Sequence, residues 1–266
     1  MSPARILLAA AALVAAVGIF PALPGLGVTP ALAQSAPPPD AAERGKVEQI
    51  VRDYLLNNPE ILREMMAKLQ DKERADSVAE RAGVFQEERD TIYNSPQQVV
   101  LGNPKGDVTL VEFFDYNCGY CRKALSDTEA LLKSDPKLRL VLKEFPVLGE
   151  GSRDAARVAV AVHKQAPGRY LEFHKALLSS EESADGAHAV EVAKSLGLDI
   201  DRIATDITDP KIDDPLRESH QLAAKLGIDG TPTYVIADEV VPGAVGLPAI
   251  QEIVAAVRKC GKATCS

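Results

Sequence analysis

The stretch that most restricts what this chain can fold into is "LVEFFDYNCGYCRKAL", Leu110 to Leu125. Its first half extends "VT" into a run of β-branched and aromatic residues, the composition of a buried strand. Its second half opens "CRKALSDTEALLK", whose apolar residues recur at helical spacing. Cys118 and Cys121 flank Gly119 and Tyr120 where strand gives way to helix. Further on, "KLRLVLKEFPVL" alternates Leu138, Leu140 and Leu142 with Lys137, Arg139 and Lys143, a second strand. A strand–helix–strand unit needs a sheet with helices on its faces, so the fold class is α/β.

The flanking segments extend this plan. "SPQQVVLGNPKGD" reads as a loop with short extended pieces. After the second strand come "SRDAARVAVAVHKQ", "RYLEFHKALLSS", "AHAVEVAKSLGL" and "DPLRESHQLAAKLGI", all with helical spacing. "TPTYVIADEVVPGAVG" then reads as two strands joined at Asp238-Glu239, and "PAIQEIVAAVRK" as a last helix. The order is β-α-β, a helical insert over about residues 150–228, then β-β-α. No internal repeat is present.

The N-terminus reads differently. Arg5 precedes the apolar run "ILLAAAALVAAVGIF", and Ala31-Leu32-Ala33 has the small-x-small pattern of a cleavage site. The run falls short of the roughly 20 residues of a membrane span, and Pro21 and Pro24 break its extension. Residues 1–33 are therefore expected to be a signal peptide, cut between Ala33 and Gln34, and 34–43 a flexible linker. Residues 44–95 form a helical extension. Val47, Ile50, Val51, Tyr54 and Leu55 make one apolar stripe, and Ile61, Leu62, Met65, Met66 and Leu69 make another after "NNPE", where Asn58 reads as a cap and Pro59 as a first helical residue. These stripes need cover, from the main domain or from other copies of the chain. The domain downstream, 96–266, has all its expected parts without them, so self-association is expected.

Net charge is −8 with no long basic tract, which argues against nucleic acid as a partner. Export to an oxidising compartment favours disulfides. The close spacings suggest pairing Cys118 with Cys121 and Cys260 with Cys265, the second as a structural staple of the C-terminal tail. A cysteine at a helix start meets free backbone N–H groups and the positive end of the helix dipole, which lower its pKa. Cys118 is thus the expected attacking thiol and Cys121, one turn further in, the resolving one, exchanging with substrate through a mixed disulfide.

With "GTPTYVI" far downstream added to "VEFFDYNCGYC", the region from about Val99 to Lys259 resembles the DsbA family of the thioredoxin superfamily. The resemblance implies a thioredoxin fold with an inserted helical subdomain, a cis Thr231-Pro232 bond beside the disulfide, and Glu112 as a buried acid under the active site. Such an acid would relay a proton to Cys121. Gly119-Tyr120 with Thr231-Pro232 resembles disulfide isomerases of the DsbC type. "VEQIVRDYLLNNPEILREMM" resembles the extension of ScsC-like periplasmic proteins. Together these imply a periplasmic isomerase or reductase, self-associated as a trimer and acting on misfolded secreted proteins. It would be kept reduced by a DsbD-like membrane partner and need no cofactor.

Other readings remain open. A monomeric dithiol oxidase working on reduced secreted proteins, with a membrane oxidase as partner, would use the same cysteines. So would a copper(I) binder or a chaperone. A zinc site is disfavoured because Cys260 and Cys265 lack C-x-x-C spacing. His163, His174, His188 and His220 have no paired ligand spacing and read as surface or helix-face residues. "GEGSR" lacks the context of a nucleotide loop.

Overall fold

The computed structural model describes residues 40–265. The signal peptide, its cleavage site and linker residues 34–39 lie outside them. The chain divides into two compact units, Met1–Arg63 and Glu64–Ser266.

In the first unit, α1 spans Ala41–Asn57. It starts inside the stretch read as linker, because Asp40 caps it: the side chain accepts the Glu43 amide at 2.8 Å. No residue of α1 is buried. Its stripe faces solvent, with Ile50 keeping 67% of its exposure. Helix α2 spans Glu60–Glu87. Asn58 ends α1 as its C-cap, so Pro59 lies between the helices rather than inside α2.

In the second unit the elements follow in order: α3 (Arg89–Tyr93), β1 (Val99–Gly102), β2 (Val108–Phe114), α4 (Gly119–Ser134) and β3 (Leu138–Glu144). Then come α5 (Glu150–Gln165), α6 (Tyr170–Leu178), α7 (Gly186–Ser195), α8 (Ile200–Asp206) and α9 (Asp214–Leu226). Strands β4 (Thr233–Ile236) and β5 (Glu239–Pro242) and helix α10 (Leu247–Cys260) complete it. The sheet order is β1-β3-β2-β4-β5. Strand β2 is central, parallel to β3 and antiparallel to β4. The β4–β5 turn is Ala237-Asp238, with Ile236 paired to Glu239, one residue earlier than the sequence suggests. Ala237 takes the left-handed φ of 52° there.

Alternation along β2 sends its side chains to two hydrophobic layers. Leu110 and Phe114 pack with residues of α4, α5, α6 and α10, while Val111 and Phe113 pack with α3 and α9. Helix α9 thus covers the second face, against β3. It is a layer of the sheet fold rather than part of the insert, whose body is α5–α8. Because α3 and α9 cover that face, Arg139 of β3 is only partly exposed and Lys143 is cut off from solvent. Lys143 is fully buried, donating to the Thr91 carbonyl at 2.8 Å and pairing with Glu218 at 3.3 Å. Burial pulls its ammonium down to about 8.

His174 is buried rather than a surface residue. Its ring stacks on Tyr170 and meets Phe114 edge-on. Nearby, Glu144 Oε1 accepts from the Tyr170 hydroxyl at 2.8 Å, and burial holds this carboxyl well above its usual range.

Candidate active site

Three pieces of chain meet at Cys118: the end of β2, the start of α4 and the loop before β4. Strand β2 ends at Phe114 and buried Asp115 turns the chain. Its carboxylate accepts the Asn117 amide at 2.7 Å and the Val147 and Leu148 amides at 2.8 and 2.9 Å. Its carbonyl accepts the Cys118 amide at 3.1 Å. Helix α4 then opens with Cys118 as N-cap, in an extended conformation (φ −79°, ψ 113°). The sulfur takes the role usually held by a serine or aspartate oxygen and accepts the Cys121 N–H at 3.3 Å. On its other side the Cys118 thiol donates to the Thr231 carbonyl at 3.1 Å. The Thr231–Pro232 bond is cis.

The two thiols are present as free cysteines with unlike surroundings. Cys118 is pulled down to about 5. The chief cause is a hydrogen bond from the Cys121 thiol. Against the cost of burial, the Thr231 side chain and the backbone amides of Cys121 and Tyr120 add to it. Cys121, with no exposed surface, is pushed above the ordinary thiol range, first by that same bond and then by burial. At neutral pH one thiol is therefore ionised and the other holds its proton. Gly119 begins the helix with open space where a Cβ would stand. Tyr120 is 63% exposed, with Lys123 Nζ 5.1 Å from its ring centre.

Glu112 lies on the central strand, opposite Tyr234 of β4 and Leu142 of β3, on the face that α4 covers. The alternative of a surface residue on an edge strand does not fit this position. Only 4% of it is exposed, and Thr128 Oγ1 of α4 donates to its Oε2 at 3.2 Å. Burial pushes the carboxyl up to about 7; Thr128 opposes the rise and the Cys118 charge adds to it. Glu112 thus titrates near neutrality behind the thiol pair.

Sequence reasoning missed four residues of this site: Asp115, Asn117, Thr128 and Tyr234. Thr128 follows Cys121 by about two helical turns, so the 3.6 period places it on the same face. Tyr234 stands two residues after Pro232, a strand period away. The partners of Asp115 and Asn117 come from distant loops, and nothing in the sequence joins them.

The other cysteines form the disulfide Cys260–Cys265 at the end of α10. A groove lined by Phe85, Arg89, Tyr93, Asp107 and Lys262 lies at the start of β2, the end away from the cysteines. Among the described residues no three His, Cys, Asp or Glu side chains cluster as metal ligands, and no helix is long and apolar enough to cross a membrane.

The chain matches the family model of the DSBA-like thioredoxin domain over residues 109–255, and that of the copper resistance protein ScsC N-terminal domain over residues 43–76. A thioredoxin-like oxidoreductase from Silicibacter pomeroyi is 44% identical in structural alignment, with a TM-score of 0.62, covering 65% of this chain and 98% of that one. Proteus mirabilis ScsC in a transitional conformation is 32% identical with a TM-score of 0.60, covering 81% of this chain and 95% of that one. Disulfide bond formation protein D of Bacillus subtilis is 27% identical over 59% of this chain and 75% of its own length. The chain also matches Na+/H+ antiporters NhaA, of which it spans only 21% to 25%. The chain belongs to the DsbA-like thioredoxin family of thiol-disulfide oxidoreductases, and it carries an ScsC-type N-terminal domain ahead of the thioredoxin fold.

Proposed function

We propose that this protein rearranges disulfides in exported proteins, acting as an isomerase or reductase in the periplasm. The observation that carries the reading is the asymmetry of the two thiols. Cys118 is a thiolate at neutral pH, while Cys121 keeps its proton. The Cys118 thiolate attacks a substrate disulfide, forms a mixed disulfide and releases one substrate thiolate. A second substrate thiolate can then displace Cys118, which leaves with its electron pair as the same thiolate, and the substrate has been reshuffled. Alternatively Cys121 gives its proton to Glu112, the reverse of the direction expected from the resemblance because only the thiolate attacks, and displaces Cys118 from the mixed disulfide, releasing reduced substrate and closing the Cys118–Cys121 disulfide. A protonated Cys121 is slow to take this second course, which gives the mixed disulfide time to rearrange.

The exposed stripe of α1, with Tyr54 and Ile50, supports self-association, a trimer by the resemblance to ScsC-like proteins. Several catalytic domains held together would retain a misfolded substrate by multivalency. Turnover as a reductase requires a membrane thiol reductase to return Cys118–Cys121 to dithiols.

A second reading, a dithiol oxidase, is favoured by one observation: a depressed Cys118 pKa stabilises the reduced form and makes the disulfide more oxidising. The two readings separate in one preparation. Protein beginning at Gln34 is weighed in solution and assayed on scrambled and on reduced ribonuclease. An oligomer that recovers activity from scrambled substrate supports isomerisation. A monomer that oxidises reduced substrate without reshuffling the scrambled one overturns it.

A further inference from the structure

Asn117 immediately precedes the attacking cysteine, yet its side chain points away from the sulfur and into the helical insert. There it meets the backbone of buried Ala184 as a strand partner would. Its Nδ2 donates to the Ala184 carbonyl at 2.7 Å and its Oδ1 accepts the Ala184 amide at 2.8 Å. The remaining capacity is also used: Nδ2 donates to Ser152 Oγ of α5 at 2.9 Å, and Oδ1 accepts from the Ser183 hydroxyl at 3.1 Å. Only a carboxamide carries a donor and an acceptor side by side at this reach. Asp would face the Ala184 carbonyl with a second acceptor, and Leu would offer neither group.

The loop that Asn117 grips is itself held at both ends. His188 Nε2 lies 2.8 Å from Ser180 Oγ, and Asp185 caps α7 through the His188 amide at 2.8 Å. A Cβ on Gly151 would stand 3.2 Å from the Ala184 oxygen, so α5 and this loop are already in close approach. The loop is a firm abutment, and Asn117 fastens the redox turn to it. The turn's other ties are those of Asp115 on the sheet side and of Cys118 to the Thr231 carbonyl; one turn further along, Arg122 Nε donates to the Leu178 carbonyl of α6 at 3.0 Å.

We propose that Asn117 is a positioning residue for the thiol chemistry, clamping the turn so that Cys118 stays in the N-cap place facing the Cys121 amide. The sulfur accepts that amide at 3.3 Å, an ordinary length for an N–H···S bond, and the bond lasts only while Cys118 keeps the N-cap place. A freed turn lets Cys118 leave the helix axis, where both the N–H groups and the dipole favour its negative charge. The consequence is a less acidic Cys118 and slower attack on disulfides at and below about pH 6. This inference rests on Cys118 being the attacking thiolate.

The test compares the full chain with Asn117→Leu, which keeps the bulk and removes all four bonds. Readouts are the thiolate absorbance of the reduced protein against pH, the rate of insulin reduction at pH 6 and the melting temperature. Expected for Asn117→Leu is a Cys118 midpoint raised by about one pH unit from about 5, which leaves about tenfold less thiolate well below pH 5 and about twofold less at pH 6, with a rate at pH 6 lowered by about the same twofold. Ser152→Ala removes one of the bonds and should shift the midpoint the same way by less. A purely structural role would lower the melting temperature and leave midpoint and rate unmoved; that result, or no change in any readout, overturns the proposal. Should Asn117→Leu not fold, Asn117→Ser carries the test, with the same upward shift expected and an unmoved midpoint overturning it. If the unaltered chain reduces no insulin and Cys118→Ser leaves the absorbance curve unchanged, the thiol-exchange reading itself fails, which is a different outcome from a normal parent and an unaffected variant.

Discussion

Two cysteine pairs stand at opposite poles of two helices. Cys118 caps the N-terminus of α4; Cys260 is the last residue of α10. At the first pole free N–H groups point at the sulfur, and Cys118 takes one from Cys121. At the second pole the free groups are carbonyls. Cys265 Sγ lies 3.4 Å from the Ala256 oxygen and Cys260 Sγ 3.7 Å from the Lys262 oxygen. The dipole has the opposite sign there and disfavours a thiolate. Spacing differs too; on the proposed reading the pole decides the chemistry, one pair reacting and the other remaining a cross-link.

The strongest way to break this contrast is to exchange the roles. Cys118→Ser should abolish insulin reduction, while the Cys260→Ala, Cys265→Ala double variant should keep the parent rate. Loss of activity in the double variant would show that the second pair takes part in exchange. Cys121→Ser should let the first step run and block the second, so a covalent enzyme–substrate adduct accumulates and is seen on a non-reducing gel. Absence of the adduct would deny Cys121 its resolving role.

Next in size is Glu112. Removing a proton acceptor costs on the order of 10²-fold in the step it serves, so Glu112→Gln should slow adduct resolution by about that factor and leave adduct formation nearly unchanged. Stopped-flow measurement of the two phases separates them. The sign of the stability effect also follows. A carboxyl raised to about 7 favours the fold while protonated and loses that advantage as pH rises through 7. Glu112→Gln should therefore gain melting temperature relative to the parent between pH 5 and pH 8.

Smaller is the pH dependence of the reduced protein. A thiol held at about 5 when folded contributes stability above its unfolded value of about 8.5, and this is lost as pH falls through 5. The melting temperature of the reduced form minus that of the oxidised form should fall between pH 8 and pH 4. The effect on the tail is on stability alone: opening a loop this short costs about 2 kcal/mol or less in chain entropy, read as a drop of about 1 M or less in the urea midpoint of the double variant.

Much of this contrast is legible in sequence because it depends on local order. The strand run before Cys118 and the helical spacing after it place the sulfur at a helix start without any tertiary information. The Thr-Pro segment and Glu112 become interpretable through resemblance to a family, since their closeness to Cys118 is a matter of sheet pairing across distant segments. What spacing does not carry is contact made by polar side chains across loops. Asn117 depends on Ala184 and Ser152, and Asp115 on Val147 and Leu148; no period links these positions. Lys143 looked like the polar half of an alternating strand, but α3 and α9 cover that face and bury it. His174 looked like a helix-face residue, yet the neighbours that enclose it come from β2, from Tyr116 just beyond it and from its own helix. Helix α9 carried the same pattern as the insert helices, because periodicity reports an apolar face and not which layer covers it.

The thiolate titration of the reduced protein bears most directly on the contrast between the two poles. Absorbance of the dithiol form is followed from pH 3 to pH 10, with Cys118→Ser as reference. The expected result is a single ionisation near pH 5 that disappears in Cys118→Ser. A first ionisation near the ordinary thiol value of about 8.5, or one that survives in Cys118→Ser, would contradict it.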